Sequence, residues 1–194
     1  MDDAAALDPR IERTRRVVLE ATLELLVECG YGAVSIEAVA ARSGVAKSTI
    51  YRHWPNRMEL VNDAFQRLKP PIAIPDEGTV RDRVVHFLEG LAQGVAASTW
   101  SQCLPALIDA SARDPEAREL HARIAAKGRQ VLVDLLAEGA ARGELPPDLD
   151  APLVAEALVG PIFVRRIMFH ELFDPADVRH LVDQLLPAGP SAPG

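Results

Sequence analysis

Between Gly44 and Arg57 the sequence reads GVAKSTIYRHWPNR, and Lys47, Ser48, Thr49, Tyr51, Arg52, His53 and Arg57 all carry groups that can donate hydrogen bonds to phosphates or to base edges. Such a crowd of donors directly after a glycine suits contact with a polyanion. A short helix fits the DNA major groove with its first residues turned to the bases, so Lys47, Ser48 and Thr49 stand where guanine acceptors or a thymine methyl would be met. Tyr51, Arg52 and His53 follow one turn later, within reach of phosphates or flanking bases. Ile50 and Trp54, four apart, are the pair that should pack inward.

Those donors need a scaffold, and the flanking sequence supplies one. From Ile11 to Cys29 the apolar residues Val17, Val18, Ala21, Leu25, Leu26 and Cys29 recur on one side of a helix, with Arg13, Arg16, Glu20, Glu24 and Glu28 elsewhere. Gly30 and Gly32 stop it. Ser35 caps a second helix, with Glu37 in its first turn, and Gly44 ends that helix. The third, Lys47 to Trp54, can be only about two turns long because Pro55 disfavours its continuation. Asn56 with Glu59 reads as a capping box for a fourth helix reaching Leu68. The order predicts a helix-turn-helix.

The linker KPPIAIPDEG, Lys69 to Gly78, divides the chain. Beyond it, periodicity predicts helices over 79–97, 100–113, 115–142, 150–172 and 175–186, with Asp114 before Pro115 and Asp174 before Pro175 as caps followed by proline. The predicted fold class is therefore all-α. A first domain spans 10–68, a second 79–187, and PAGPSAPG makes 188–194 a disordered tail.

With 194 residues, 48% of them hydrophobic, the chain has ample material for a buried core. Its net charge of −7 is unevenly spread: residues 10–69 sum to +3, residues 1–9 to −3 and residues 70–194 to −7, as for an anion-binding head on an acidic body. Cys29 and Cys103, distant in sequence, suggest neither a disulfide framework nor a zinc knuckle and are expected to be small buried hydrophobes. The opening MDDAAALDPR has no basic start with an apolar run, and no apolar stretch of membrane-spanning length occurs, so a cytoplasmic protein without membrane contact is expected.

The run from Ala21 to Phe65, with GY after the first helix, SIEAVAARSGV through the second helix and turn, and TIYRHW in the third, resembles the DNA-binding domain of TetR-type transcriptional regulators. The resemblance implies that Tyr51 and His53 contact phosphates, that Lys47, Ser48, Thr49 and Arg52 face the groove, and that Arg57 holds the backbone from the fourth helix. Ser35, at the start of the second helix, is counted with this DNA-binding set. Where the family often has serine before the recognition helix, this chain has Ala46, a change worth about 1 kcal/mol of capping.

The C-terminal part, from DPEARELHARIAAKGRQVLVDLLAEGAARGELPPDLD to ALVGPIFVRRIMF, looks like the regulatory domain of one branch of that family. What the resemblance implies is a homodimeric repressor that binds a near-palindromic duplex and is released by a small-molecule effector. PLVAEALVGPIFVRRIMF is apolar around nearly its whole circumference up to Arg165, and with DVRHLVDQLL it would form a four-helix dimer interface. Phe87, Trp100, Phe163 and Arg166 are the candidates for lining an effector cavity, with ordinary core packing the plainer alternative; Arg165 and Arg166 also read as exposed helix-end charges.

His86, His121, His170 and His180, and the Asp177 and His180 pair, do not make a bundle metal site, so no metal or cofactor is expected. No nucleophile elbow, phosphate loop or zinc-protease helix occurs, and the chain reads as a non-enzyme. The competing reading is a helical ligand-binding or protein-interaction bundle without sequence-specific DNA binding.

Overall fold

Every regular element among the described residues is helical. A computed structural model describes residues 9–68 and 71–186, apart from the side chains of Leu68 and Trp100. The tail expected at 188–194 and the first two linker positions lie outside the described residues. The elements are α1 (Pro9–Cys29), a 3-10 turn at Tyr31–Ala33, α2 (Ile36–Ser43), α3 (Lys47–His53), α4 (Arg57–Leu68), α5 (Val80–Ala97), α6 (Thr99–Gln102), α7 (Leu104–Ser111), α8 (Pro115–Ala141), α9 (Ala151–Val164), a π-helical turn at Arg165–Phe169, and α10 (Pro175–Leu185).

Two units emerge from the packing. One holds the described residues up to 68 together with Gln102–Ile124; the other holds 71–101 and 125–186. The first unit is thus built from two separate stretches of chain, unlike the linear division at the linker. In it α1 packs on α2, α4 and α7, and α7 also meets the 3-10 turn. Leu19, Leu23, Leu26, Tyr31, Val39, Ile50, Leu60 and Phe65 are sealed in its core, joined from the second stretch by Leu107 and Leu120. Cys103 is buried there too, its Sγ 3.6 Å from the Leu23 carbonyl, and burial pushes its thiol pKa up to about 12. Cys29, expected to be buried, is exposed, because it occupies the last, outward position of α1.

In the second unit α5, α9 and α10 pack against one another. Thr79 and Asp82 form a capping box that starts α5, and Asp174 with Asp177 forms another at α10. Gly139 of α8 permits close packing: a methyl there would come within 2.8 Å of Leu145 and 2.9 Å of Val80.

Two helices differ from their predicted extents. The stretch predicted at 100–113 breaks into α6 and α7, because Pro105 has no amide hydrogen to offer the Ser101 carbonyl and instead begins a new helix near its first position. The helix predicted over 150–172 is regular only to Val164. It carries Pro161 within, then widens into the π-helical turn and ends at His170, whose left-handed backbone (φ 57°) lets its N–H and that of Glu171 both reach the Arg165 carbonyl. Among the described residues, no helix is long and apolar enough to cross a membrane.

Candidate nucleic-acid interface

Helix α2 begins where the Ser35 hydroxyl accepts the Ala38 N–H at 3.1 Å. It ends at Gly44, whose positive φ of 70° turns the chain and gives its N–H to the Ala40 carbonyl at 3.0 Å. Two residues later α3 starts without a side-chain cap: Ala46 offers only its carbonyl, which accepts from Thr49 at 2.9 Å and Ile50 at 3.2 Å.

The seven residues of α3 sort cleanly by face. Ile50 and the following Trp54 are sealed into the core, at 0% and 3% exposure. Lys47, Ser48, Tyr51 and Arg52 are exposed, and Thr49 and His53 are half-buried at the margin. One spacing rule produces both faces, since residues three and four apart share a side of a helix.

Electrostatics refine this surface. Lys47 Nζ lies 3.4 Å from Glu37 Oε1 at the first turn of α2, and a backbone hydrogen bond, then Lys47, holds the Glu37 carboxyl below the usual range. The His53 ring stands edge-on to Trp54 at 5.6 Å between centroids. Burial, then the nearby Arg15 and Arg52 guanidinium groups, lowers the His53 pKa.

Arg57 is engaged within the protein. Its guanidinium donates to Glu116 Oε2 at 2.6 Å, approaches Asp114 Oδ2 at 3.4 Å and stacks 4.3 Å over the Tyr31 ring. The Tyr31 hydroxyl also donates to Glu116, at 3.2 Å. Burial, opposed by Arg57 and reinforced by Glu116, pushes its pKa up to about 12. Arg57 serves an internal ion pair here, because Asp114, which precedes α8, and Glu116 in its first turn both reach it. Those partners are 57 and 59 residues away in sequence, and no spacing rule points to them.

A second cluster leaves no motif in the sequence. Asp63 of α4 receives the Trp54 indole N–H at 2.9 Å and Arg67 Nε at 2.9 Å. Arg15 of α1 donates to it as well, at 3.4 Å. Its one sequence signal is the i, i+4 spacing of Asp63 to Arg67.

The effector-cavity candidates lie in the second unit. Phe87 is buried in α5, Phe163 is half-buried on α9, and Arg166 donates from Nε to the Val95 carbonyl at 3.4 Å. The side chain of Trp100 lies outside the described residues. Arg165, expected as an exposed end charge, is half-buried: it pairs with Asp177 and lies 4.7 Å from the Phe173 ring centroid. That pairing, with the N-cap amide of Asp174, occupies the Asp177 carboxylate. A cleft of about 480 Å³ in this unit is lined by Ile72, His86, Gly90, Gln93, Gly94 and Ser98 among others, and of the described candidates Phe87, Phe163 and Arg166 do not border it. Among the described residues no three His, Cys, Asp or Glu side chains are placed to hold a metal.

Residues 18–64 match the family described as bacterial regulatory proteins, tetR family, and residues 74–185 match the tetracyclin repressor-like C-terminal domain. The HTH-type transcriptional regulator YdeS of Bacillus subtilis is 31% identical over 176 residues, covering 90% of this chain and 88% of its own length. The DNA-binding transcriptional repressor TetR of Mycobacteroides abscessus is 28% identical over 183 residues, covering 91% of this chain and 94% of that protein. Among solved structures, the TetR family transcription regulator SCO0332 superposes with a TM-score of 0.69 at 29% identity, covering 89% of this chain and 96% of that one.

Proposed function

Because the chain belongs to the TetR family of bacterial transcriptional regulators, we propose that its α2–α3 pair reads a near-palindromic operator as half of a homodimer, which a small-molecule effector releases from DNA. The observation that carries this reading is the division of α3, in which Ile50 and Trp54 are buried while Lys47, Ser48, Tyr51 and Arg52 stand in solvent. Lys47, Ser48, Thr49 and Arg52 face base edges, Tyr51 and His53 take phosphates, and Ser35 holds the start of α2 against the backbone. Arg57, committed to Glu116, is left out of the contact set.

Dimerisation rests on the apolar residues left in solvent along α9 and just beyond it: Leu153 is 62% exposed, Met168 69%, Phe169 63% and Leu172 62%. A second copy covering them would place two recognition helices about 34 Å apart, one DNA turn. The effector site is assigned to the second unit, with Phe87, Trp100, Phe163 and Arg166 as its candidates. An effector releases DNA only if it binds the two states of the dimer with different affinity. Repression is the sense of regulation suggested by the name of the Mycobacteroides abscessus relative.

The test is selection of duplexes from a random pool, followed by anisotropy titrations of the winning duplex and a scrambled one at several salt concentrations. The expected result is one near-palindromic sequence bound at least about 10³-fold more tightly than the scrambled duplex, with a steep salt slope. Lys47→Ala should cost about 1–3 kcal/mol and relax the preference at one position of each half-site. Equal affinity for all duplexes would overturn the reading in favour of a bundle without sequence-specific DNA binding.

A further inference from the structure

Three elements of the first unit meet at one carboxylate. Asp63 Oδ2 accepts the Trp54 indole N–H at 2.9 Å and Arg15 Nη2 at 3.4 Å, while Oδ1 accepts Arg67 Nε at 2.9 Å. Arg67 also reaches Glu12 of α1 at 3.4 Å. The side chains of Arg15 and Asp63 are only 17% and 23% exposed, and the Arg15 guanidinium lies 5.6 Å from the Trp54 ring centroid.

Trp54 is the residue that closes α3, its own N–H bonded to the Ile50 carbonyl at 2.9 Å. A buried indole needs a partner for its N–H, but a neutral acceptor would serve. An ionised acid at that position adds negative charge to a unit that must approach a polyanion, so it carries an electrostatic cost in DNA affinity. What it gives in return is direction. Helix α3 has seven residues and no side-chain cap, too little to hold an orientation by its own helical stability. Of its two inward anchors, Ile50 packs without directional bonding, whereas the Trp54 N–H bond fixes an angle. Arg15 and Arg67 pin the carboxylate between α1 and α4, so the angle of the recognition helix is referred to both.

We propose that Asp63 is the positioning residue that sets the seating of the recognition helix, and through it the discrimination between operator and other DNA. The functional half of this inference rests on the DNA-reading role of α3; the positional half stands without it.

Both halves can be measured on the full chain with Asp63→Ala, Asp63→Asn and Trp54→Phe. Amide hydrogen exchange is compared between residues 47–53 and residues 18–26 of α1, and affinities are measured for the selected duplex and a scrambled one. Asp63→Ala is expected to speed exchange at 47–53 at least about tenfold while 18–26 change less than about twofold, and to cut the operator-to-scrambled ratio at least about tenfold by weakening operator binding. Trp54→Phe, which keeps a ring and loses the N–H, should do the same, and the double variant should be no worse than either single one. Asp63→Asn, which retains an acceptor for the indole but no longer pairs with both Arg15 and Arg67, should fall between the wild type and Asp63→Ala in exchange and in discrimination.

Parallel gains in affinity for both duplexes would mean that Asp63 acts only as a charge and would overturn the proposal. So would exchange that speeds uniformly in α1 and α3, or not at all. If Asp63→Ala does not fold, Trp54→Phe decides by the same criteria. If the wild type prefers no duplex, the operator reading fails and the exchange comparison alone decides the positioning role.

Discussion

The ring of His53 links the proposed DNA-facing surface to pH. Burial, then Arg15 and Arg52, lowers its pKa from the ordinary histidine value, which disfavours the charged ring in the free protein. A phosphate beside it would raise that pKa, and binding would then take up a proton. Operator affinity should therefore increase as pH falls from about 7.5 to about 6, by up to about tenfold at each half-site. Titrations across that range check this, and an unaltered pH profile in His53→Gln would remove His53 from the contact set. For folding the sign is opposite. A histidine depressed in the folded state contributes stability that is present above about pH 6.5 and lost as the solution becomes more acid. The facing of α3 was legible from the i, i+4 pair Ile50 and Trp54 and the polar residues between them. The engagement of Arg57 was not, because its partners arrive from another stretch of chain, and ion pairing across such a distance leaves no periodic mark.

Helix starts and stops divide into those set locally and those set by packing. Ser35, Asp114 and Asp174, each read from the chain as a cap, act on amides two or three residues ahead, and Thr79 does the same at α5. Asn56 similarly accepts the Glu59 N–H at 2.8 Å, whereas the Glu59 carboxylate takes Arg123 at 2.9 Å. The break between α6 and α7 was legible in principle at Pro105, yet continuous apolar periodicity masked it. The widening of α9 before His170 was not, and neither was the pairing of Arg165 there with Asp177 of α10. The start of α3 offers a direct test of local capping. Ala46→Ser should supply the missing side-chain acceptor and stabilise the first unit by about 0.5–2 kcal/mol, seen as a higher denaturant midpoint by tryptophan fluorescence. An unchanged midpoint would mean that the amides opening α3 gain nothing from a hydroxyl there.

At the scale of the molecule, the all-α class followed from composition and periodicity, while membership of the units did not. Residues 102–124 sit with the N-terminal helices although the prolines of the linker precede them. Leu107, Ala117 and Leu120 are buried as any core residues would be, and nothing in their types says which core they join. The exposed apolar residues of α9 and beyond yield a further expectation. If the proposed dimer forms through them, Leu153→Glu combined with Phe169→Asp should give a monomer in sedimentation where the wild type gives a dimer, and weaken binding to a full palindrome at least about 10²-fold, with half-site binding spared. A variant that remains dimeric would move the interface elsewhere. Because the first unit is assembled from two stretches, there are limits to how this protein can be taken apart. Severed at the prolines, the reading head would keep Tyr31, Leu23 and Arg57 but forfeit the acids and the thiol that meet them from 103–116. Hybrids spliced there would set a foreign head against a 102–124 stretch shaped for another one, so workable seams for recombination, in the laboratory or in evolution, have to carry 102–124 along with the head.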